Sequence, residues 1–263
     1  MRFSKLIIQK MHTLIWFLCR PIFWQHALHL TRRKFLTNLD APLLRENALK
    51  WADENAIPYK EALKKLEING DMKGIDDDIL KEGEELASKS LVKMGGPGNL
   101  NLLFDAVRLT GANRIIETGV AYGWSSLAIL NAITLNGNGK LYSVDMPYPK
   151  MGNEPYVGVV IPERLRDKWK LLREPDRRGL EKAIVMAGGK VDLCHYDSDK
   201  SWWGRHYAFP ILWKALIPGG LLISDDIQDN MYFKEFVMSK MLPFAVTKSN
   251  DKFVGLIRKE KER

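Results

Sequence analysis

Two sets of acidic side chains sit where chemistry could be done. The first is Glu117-Thr-Gly119-Val-Ala121-Tyr122-Gly123-Trp-Ser125-Ser126, with Asp145-Met146 beginning 28 residues after Glu117. Glycines let a backbone approach a ligand closely and adopt positive φ, and a helix that starts there offers free N–H groups. An acid two residues before the first glycine suits a cationic ligand better than a pyrophosphate. The second set is His195-Tyr-Asp197-Ser-Asp199-Lys200 with Ser224-Asp225-Asp226, the two first acids again 28 residues apart. Adjacent carboxylates repel unless protons or a cation intervene. A hard ion such as Mg²⁺ takes oxygen ligands and keeps waters that a substrate can displace. Asp197, Asp225 and Asp226 are therefore candidate metal ligands. Lys200, His195 and Asp197 are candidate general bases, and the residues alone do not choose among them.

The spacing excludes two nucleotide motifs. Gly123 follows Gly119 by four residues with no third glycine, so there is no G-x-G-x-x-G, and no Gly-Lys-Ser/Thr marks a phosphate loop.

These residues need a scaffold that brings strand ends together. From Arg114 short apolar runs alternate with helical stretches. Strands are expected at Arg114–Glu117, Lys140–Val144, Trp169–Leu172, Val191–His195 and Leu221–Ser224, and helices at Ser125–Ile133, Arg177–Ala187, Trp202–Leu216 and Met231–Met241. That alternation predicts a doubly wound, mostly parallel sheet. The runs Phe244–Thr247 and Phe253–Ile257 are too close for a helical crossover and predict a C-terminal antiparallel hairpin, for seven strands in all. Ligands of such sheets bind beyond the carboxyl ends of the strands, which is where both acidic sets fall. Upstream, helices are expected over 43–52, from Pro58 to Leu66, from Asp76 or Asp77 to Met94, and from Leu100, capped by Asn99, to Leu109.

Glu117-x-Gly119-x-x-x-Gly123 resembles the first motif of the class I S-adenosylmethionine-dependent methyltransferases, a Rossmann-like α/β family. Val144-Asp-Met-Pro, Pro162-Glu-Arg-Leu-Arg-Asp, His195-Tyr-Asp-Ser-Asp-Lys and Pro218-Gly-Gly-Leu-Leu-Ile-Ser-Asp-Asp extend the resemblance over residues 95–258. It implies that Glu117 and the loop Gly119, Ala121, Tyr122, Gly123, Ser125, Ser126 lie near the methionine part of the cofactor. It further implies that Asp145 takes the ribose hydroxyls, that Met146 packs near adenine, and that His195 lies close by. Asp197, Lys200, Asp225 and Asp226 are similar to the metal-dependent O-methyltransferases, in which such acids hold Mg²⁺ and such a lysine can be the base. The expected acceptor is a small molecule, sugar or lipid-linked glycan. Trp202, Trp203, His206 and Tyr207 read either as packing residues or as an acceptor wall, Asp199 as a partner of Lys200 or Arg205, and the Pro/Gly-rich segment 147–158 as a substrate loop.

Composition narrows the class. Of 263 residues, 46% are hydrophobic and 27% charged, as in globular proteins. Residues 1–39 hold seven Lys or Arg and no acid, which leaves +1 of the net +8 for residues 40–263. The folded body lacks the basic excess of a nucleic-acid binder. In the arm, Phe3, Leu6, Ile7, Met11, Leu14, Ile15, Leu18 and Ile22 keep helical spacing, with Pro21 as a break. A basic amphipathic helix suits an anionic membrane surface; packing on the domain or on a second copy in a homodimer is the other reading. Cys19 and Cys194 are too few and too distant for a disulfide framework, which points to a reducing, cytoplasmic setting. The organisation read from sequence is an arm (1–39), a helical extension (40–94) and the α/β domain (95–263), with the arm expected to be dispensable for cofactor binding. A nicotinamide-dependent dehydrogenase and a non-catalytic membrane-docked scaffold are the rival readings.

Overall fold

The computed structural model describes residues 11–33, 35–36, 38–149 and 152–260. Phe3, Leu6 and Ile7 of the arm lie outside these. A helix α1 covers residues 11–18 of those described; a 3₁₀ turn follows at Pro21–Phe23, then α2 at Trp24–Arg33. Pro21 breaks the arm as its missing N–H requires. The next helices are α3 (Pro42–Asn55), α4 (Tyr59–Lys65), α5 (Asp77–Ala87) and α6 (Leu100–Thr110). The α/β part runs β1 (Arg114–Thr118), α7 (Trp124–Leu135), β2 (Lys140–Val144), β3 (Trp169–Leu172), α8 (Asp176–Met186), β4 (Val191–Tyr196), α9 (Trp202–Ala215), β5 (Leu216–Ser224), α10 (Tyr232–Ser239), β6 (Phe244–Ser249) and β7 (Lys252–Arg258).

The seven strands form one sheet in the order β3-β2-β1-β4-β5-β7-β6, parallel except where β7 pairs with β5 and β6. Successive residues point to opposite faces. Ile115, Leu193 and Leu221 join α6 and α7 on one face, and Ile116, Cys194 and Leu222 join α8, α9 and α10 on the other. The central strands are apolar runs because both faces are covered. Residues upstream of the sheet share this packing: Leu63, Leu66 and Ile68 belong to the first cluster, and Ile57 N donates to the Val246 carbonyl at 2.9 Å, extending the edge.

Several expected boundaries move. The helix from Asp76 stops at Ala87, well short of Met94; beyond it the Ser88 hydroxyl donates back to the Glu85 carbonyl and the Ser90 hydroxyl donates forward to the Val92 carbonyl, both 2.8 Å. β5 begins at Leu216 and includes Pro218-Gly219-Gly220, which Lys259 pairs through Gly219 N to Lys259 O and Lys259 N to Gly220 O, both 2.9 Å. The register against β4 shifts there, between Val191 and Leu193. Met231–Met241 contracts to Tyr232–Ser239.

The four central ladders each run one residue past the strands. Gly119 N donates to Val144 O (2.8 Å), Asp145 N to Leu172 O (3.0 Å), Asp197 N to Thr118 O (2.9 Å) and Asp225 N to Tyr196 O (3.0 Å). Both acidic sets are thereby aligned along one edge of the sheet, at the point where the strand order reverses between β1 and β4.

Candidate active site

The glycine loop is held from below. Glu117 is fully buried, and the hydroxyls of Ser125, Ser126 and Ser143 each donate to its carboxylate at 2.6 Å. One acid thus ties β1, the first turn of α7 and β2 together, and it lies beneath the loop rather than in a cavity wall. Ser126, Tyr122 and Gly123 are likewise supports; the Tyr122 hydroxyl donates to the Val92 carbonyl. Gly119 has φ +80°, and a Cβ there would stand 2.3 Å from the Asp197 carbonyl oxygen. Gly119→Ala is therefore expected to strain the β1–β4 junction by about 1–3 kcal/mol and weaken S-adenosylhomocysteine binding about tenfold to a hundredfold, read by titration calorimetry.

Two adjoining cavities open above the strand ends, one of about 310 Å³ and one of about 80 Å³, and Gly119, Tyr148 and Asp197 line both. Asp145, Met146, Asp176 and Ser198 line the larger; Ala121, Ser125, Asp225 and Lys252 line the smaller. Asp145 accepts from Val120 N at 3.3 Å and pairs with Arg173, whose other edge grips Glu154 at 2.6 and 2.8 Å. Burial raises the Asp145 pKa, with Arg173 opposing. Arg173 also anchors the 147–158 segment through Glu154, and Gly158 N donates to Ala121 O at 2.9 Å, so this segment is fastened to the glycine loop. Asp176, at the start of α8, hydrogen-bonds the Ser198 hydroxyl, and burial pushes its pKa up to about 7. Sequence reading missed Arg173 and Asp176; an acid directly after Pro175 at a strand end was the available signal for the latter.

The second acidic set does not assemble as a metal triad. Asp226 has φ +53°, a left-handed turn, and its carboxylate pairs with lysines while that of Asp225 faces a histidine. The Lys200 ammonium lies between Asp197 (3.0 Å to Oδ1) and Asp226, and Lys252 Nζ is 3.6 Å from Asp226. Asp225 faces His195 Nε2 at 3.5 Å, while His195 Nδ1 is 3.7 Å from Glu117. Among the described residues no group of three or more His, Cys, Asp or Glu side chains could hold a metal ion. Lys200 and Lys252 stand against Asp197 and Asp226 where the sequence reading placed Mg²⁺, and Asp225 faces His195 instead, so the three expected ligands do not converge as one set.

The same contacts sort the candidate bases. Burial would lower the Lys200 pKa, but Asp197 and Asp226 outweigh it and raise it well above the usual value. Burial would also lower that of His195, yet Asp225 and Glu117 push it up to about 10, and the ring is fully enclosed. For Asp197, burial and then the Asp225 charge raise the pKa to about 6, against Lys200 and His195. Arg205, completely buried, donates to the carbonyls of Asp225 (2.9 Å) and Asp226 (2.8 Å) and to that of Lys200, fixing both turns.

The aromatic group opening α9 divides. Trp202 stacks on His206 at 4.7 Å and donates to Glu235 at 2.8 Å, packing towards α10, while Tyr207 lines the larger cavity with Arg177 4.2 Å over its ring. Asp199 pairs neither with Lys200 nor with Arg205 but with Arg33 of the arm, at 2.9 Å. His26, His29, Leu30 and Arg33 of α2 roof the larger cavity. The arm is thus part of the cavity wall.

Residues 116–227 match the model of a family described as a methyltransferase domain. No curated protein matches the chain by sequence. Among solved structures, the chain is similar to the O-methyltransferase TomG from Streptomyces achromogenes, involved in tomaymycin synthesis and in complex with SAM; identity is 16% and TM-score 0.58, over 72% of this chain and 92% of that one. It is similar to the O-methyltransferase from Bacillus cereus in complex with SAH (16%, TM-score 0.53, 79% and 100%). The SAH-bound methyltransferase PaMTH1 of Podospora anserina is a third (16%, TM-score 0.54, 82% and 95%). At such identities the likeness is one of fold. The domain match and the sheet order agree: residues 116–227 are similar to a methyltransferase domain, and the seven strands take the Rossmann-like arrangement that the class I resemblance implies.

Proposed function

We propose that the protein moves the methyl group of S-adenosylmethionine to a hydroxyl oxygen of a small acceptor, a saccharide or lipid-linked saccharide, with Asp197 as base. The observation that carries this is the position of Asp197, in the wall common to both cavities and free of the tight enclosure of His195. In this reading adenosine fills the larger cavity, its ribose hydroxyls on Asp145, its ring against Met146 and its amino group towards Asp176. The methionine half runs past Gly119, Ala121 and Ser125. The acceptor hydroxyl gives its proton to Asp197 as its oxygen attacks the methyl carbon; the carbon–sulfur bond breaks and S-adenosylhomocysteine leaves. Lys200, held as an ammonium by two carboxylates, orients Asp197 rather than taking the proton. Oxygen as the accepting atom is supported by the two neighbours described as O-methyltransferases.

The arm supports the acceptor class. Met11, Leu14 and Leu18 of α1, and Trp24 and Leu28 of α2, stand more than half exposed. With seven basic residues and no acid in 1–39, this surface suits the anionic inner face of a membrane. No helix among the described residues is long and apolar enough to cross one.

The test is calorimetry with S-adenosylmethionine, then release of S-adenosylhomocysteine over a panel of hydroxylated saccharides. Binding without release on any hydroxyl acceptor overturns O-methylation. Exhaustive chelation is expected to leave turnover unchanged, since Lys200 and Lys252 stand where an ion would; its loss overturns that arrangement.

A further inference from the structure

Between α2 and the start of α8 lies a second cavity of about 430 Å³, outside the cofactor cavity and sharing a wall with it. Its lining holds Arg32, Arg177, Arg178, His26 and His29 and not one Asp or Glu. Of the arginines only Arg178 has a carboxylate within ion-pair reach among the described residues, Glu174 at 3.3 Å. Arg177 has the Tyr207 ring beneath it; burial lowers its pKa, with Tyr207, Asp199 and Asp176 opposing. His26 Nδ1 and His29 Nε2 are buried with no hydrogen-bond partner. Burial lowers both imidazole pKa values, that of His29 to about 4, so at neutral pH each ring is an uncharged donor and acceptor. Ile22 and Leu28 form the apolar rim, and both are exposed and continuous in sequence with the apolar arm.

We infer that this cleft binds the phosphate of an anionic phospholipid headgroup, with Arg32 and Arg177 as its charged contacts and the acyl chains leaving over Ile22 and Leu28. Guanidinium groups match phosphate oxygens in charge and geometry. A cleft cationic inside and apolar at its rim matches an amphiphile better than a free anion. The inference rests on the proposed membrane contact of the arm and gives it a specific site.

The test uses the full chain in two measurements. Calorimetry with dihexanoyl phosphatidate below its micelle concentration reads the cleft; sedimentation with vesicles of phosphatidylcholine and phosphatidylglycerol reads the arm. One lipid per chain is expected to bind, with affinity falling about tenfold or more in Arg177→Gln and in Arg32→Gln. Arg20→Gln, an arm charge outside the cleft, is expected to leave it unchanged. Equal losses for Arg20→Gln and Arg177→Gln mean diffuse attraction and overturn the cleft, as does absence of soluble-lipid binding while vesicles still sediment the protein. Inorganic phosphate binding as tightly as the lipid overturns the lipid as the source. Soluble-lipid binding without vesicle sedimentation leaves the cleft standing and removes the arm as an anchor.

Discussion

Asp197→Asn is expected to cut kcat by about 10²–10⁴-fold, the span of general-base catalysis, while S-adenosylhomocysteine binds within about threefold of the parent. Asparagine keeps the volume of the side chain, and Lys200 retains Asp226, so the turn that Arg205 fixes stays in place. The parent enzyme should also show a rate that climbs with pH through about 6, because Asp197 accepts a proton only when ionised and its pKa is raised to about 6. Below that pH the carboxyl is protonated and the rate falls; above it the rate levels off. The variant should lose that limb. A parent profile flat from pH 5 to 8, or an asparagine variant with parental kcat, removes Asp197 from the reaction. The other candidates give different signatures: a lysine base would place the rising limb far above neutrality.

Asp145→Ala acts on binding rather than chemistry. Two hydrogen bonds from ribose hydroxyls to a carboxylate contribute ~1.5–3 kcal/mol each, so loss of both should weaken S-adenosylhomocysteine by roughly 10²–10⁴-fold. The same change strands Arg173, whose remaining partners are Glu154 and the Asp145 carbonyl at 2.8 Å. A fall in the thermal midpoint is therefore expected too, and Asp145→Asn separates the effects: it keeps the packing and should weaken the ligand with a smaller loss of stability. An unchanged dissociation constant in both variants would falsify the assignment of the ribose to Asp145.

What could be read before the fold was known has a common character. Glu117, Gly119, Asp145, Asp197 and Asp225 all follow apolar runs that become strands, so strand-end placement was written in short stretches of sequence. The role of Glu117 was not, because Ser125, Ser126 and Ser143 meet it only once β1, α7 and β2 have packed. Register decides the rest: Asp197 and Asp226 are joined by Lys200 because β4 and β5 are neighbours with Tyr196 opposite Ser224, and the adjacent acids Asp225 and Asp226 take different partners, His195 and Lys200. Long-range partners were the least legible. Arg33 meets Asp199 across 166 residues, and periodicity in the arm announced an apolar face without saying that His26 and His29, on the helix after Pro21, would close a cavity.

That closure bears on time as well as on affinity. If the spent cofactor leaves past α2, turnover waits on the peeling of a ten-residue helix held by Arg33 on Asp199, and gating steps of this kind commonly outlast the chemistry they guard. A lipid that steadies the helix would lengthen the stay of S-adenosylhomocysteine. By reciprocity S-adenosylhomocysteine would tighten the lipid by the same factor by which the lipid tightens it. On a bilayer such a molecule would work slowly and leave rarely, processing successive acceptors within one patch of surface before it returned to solution.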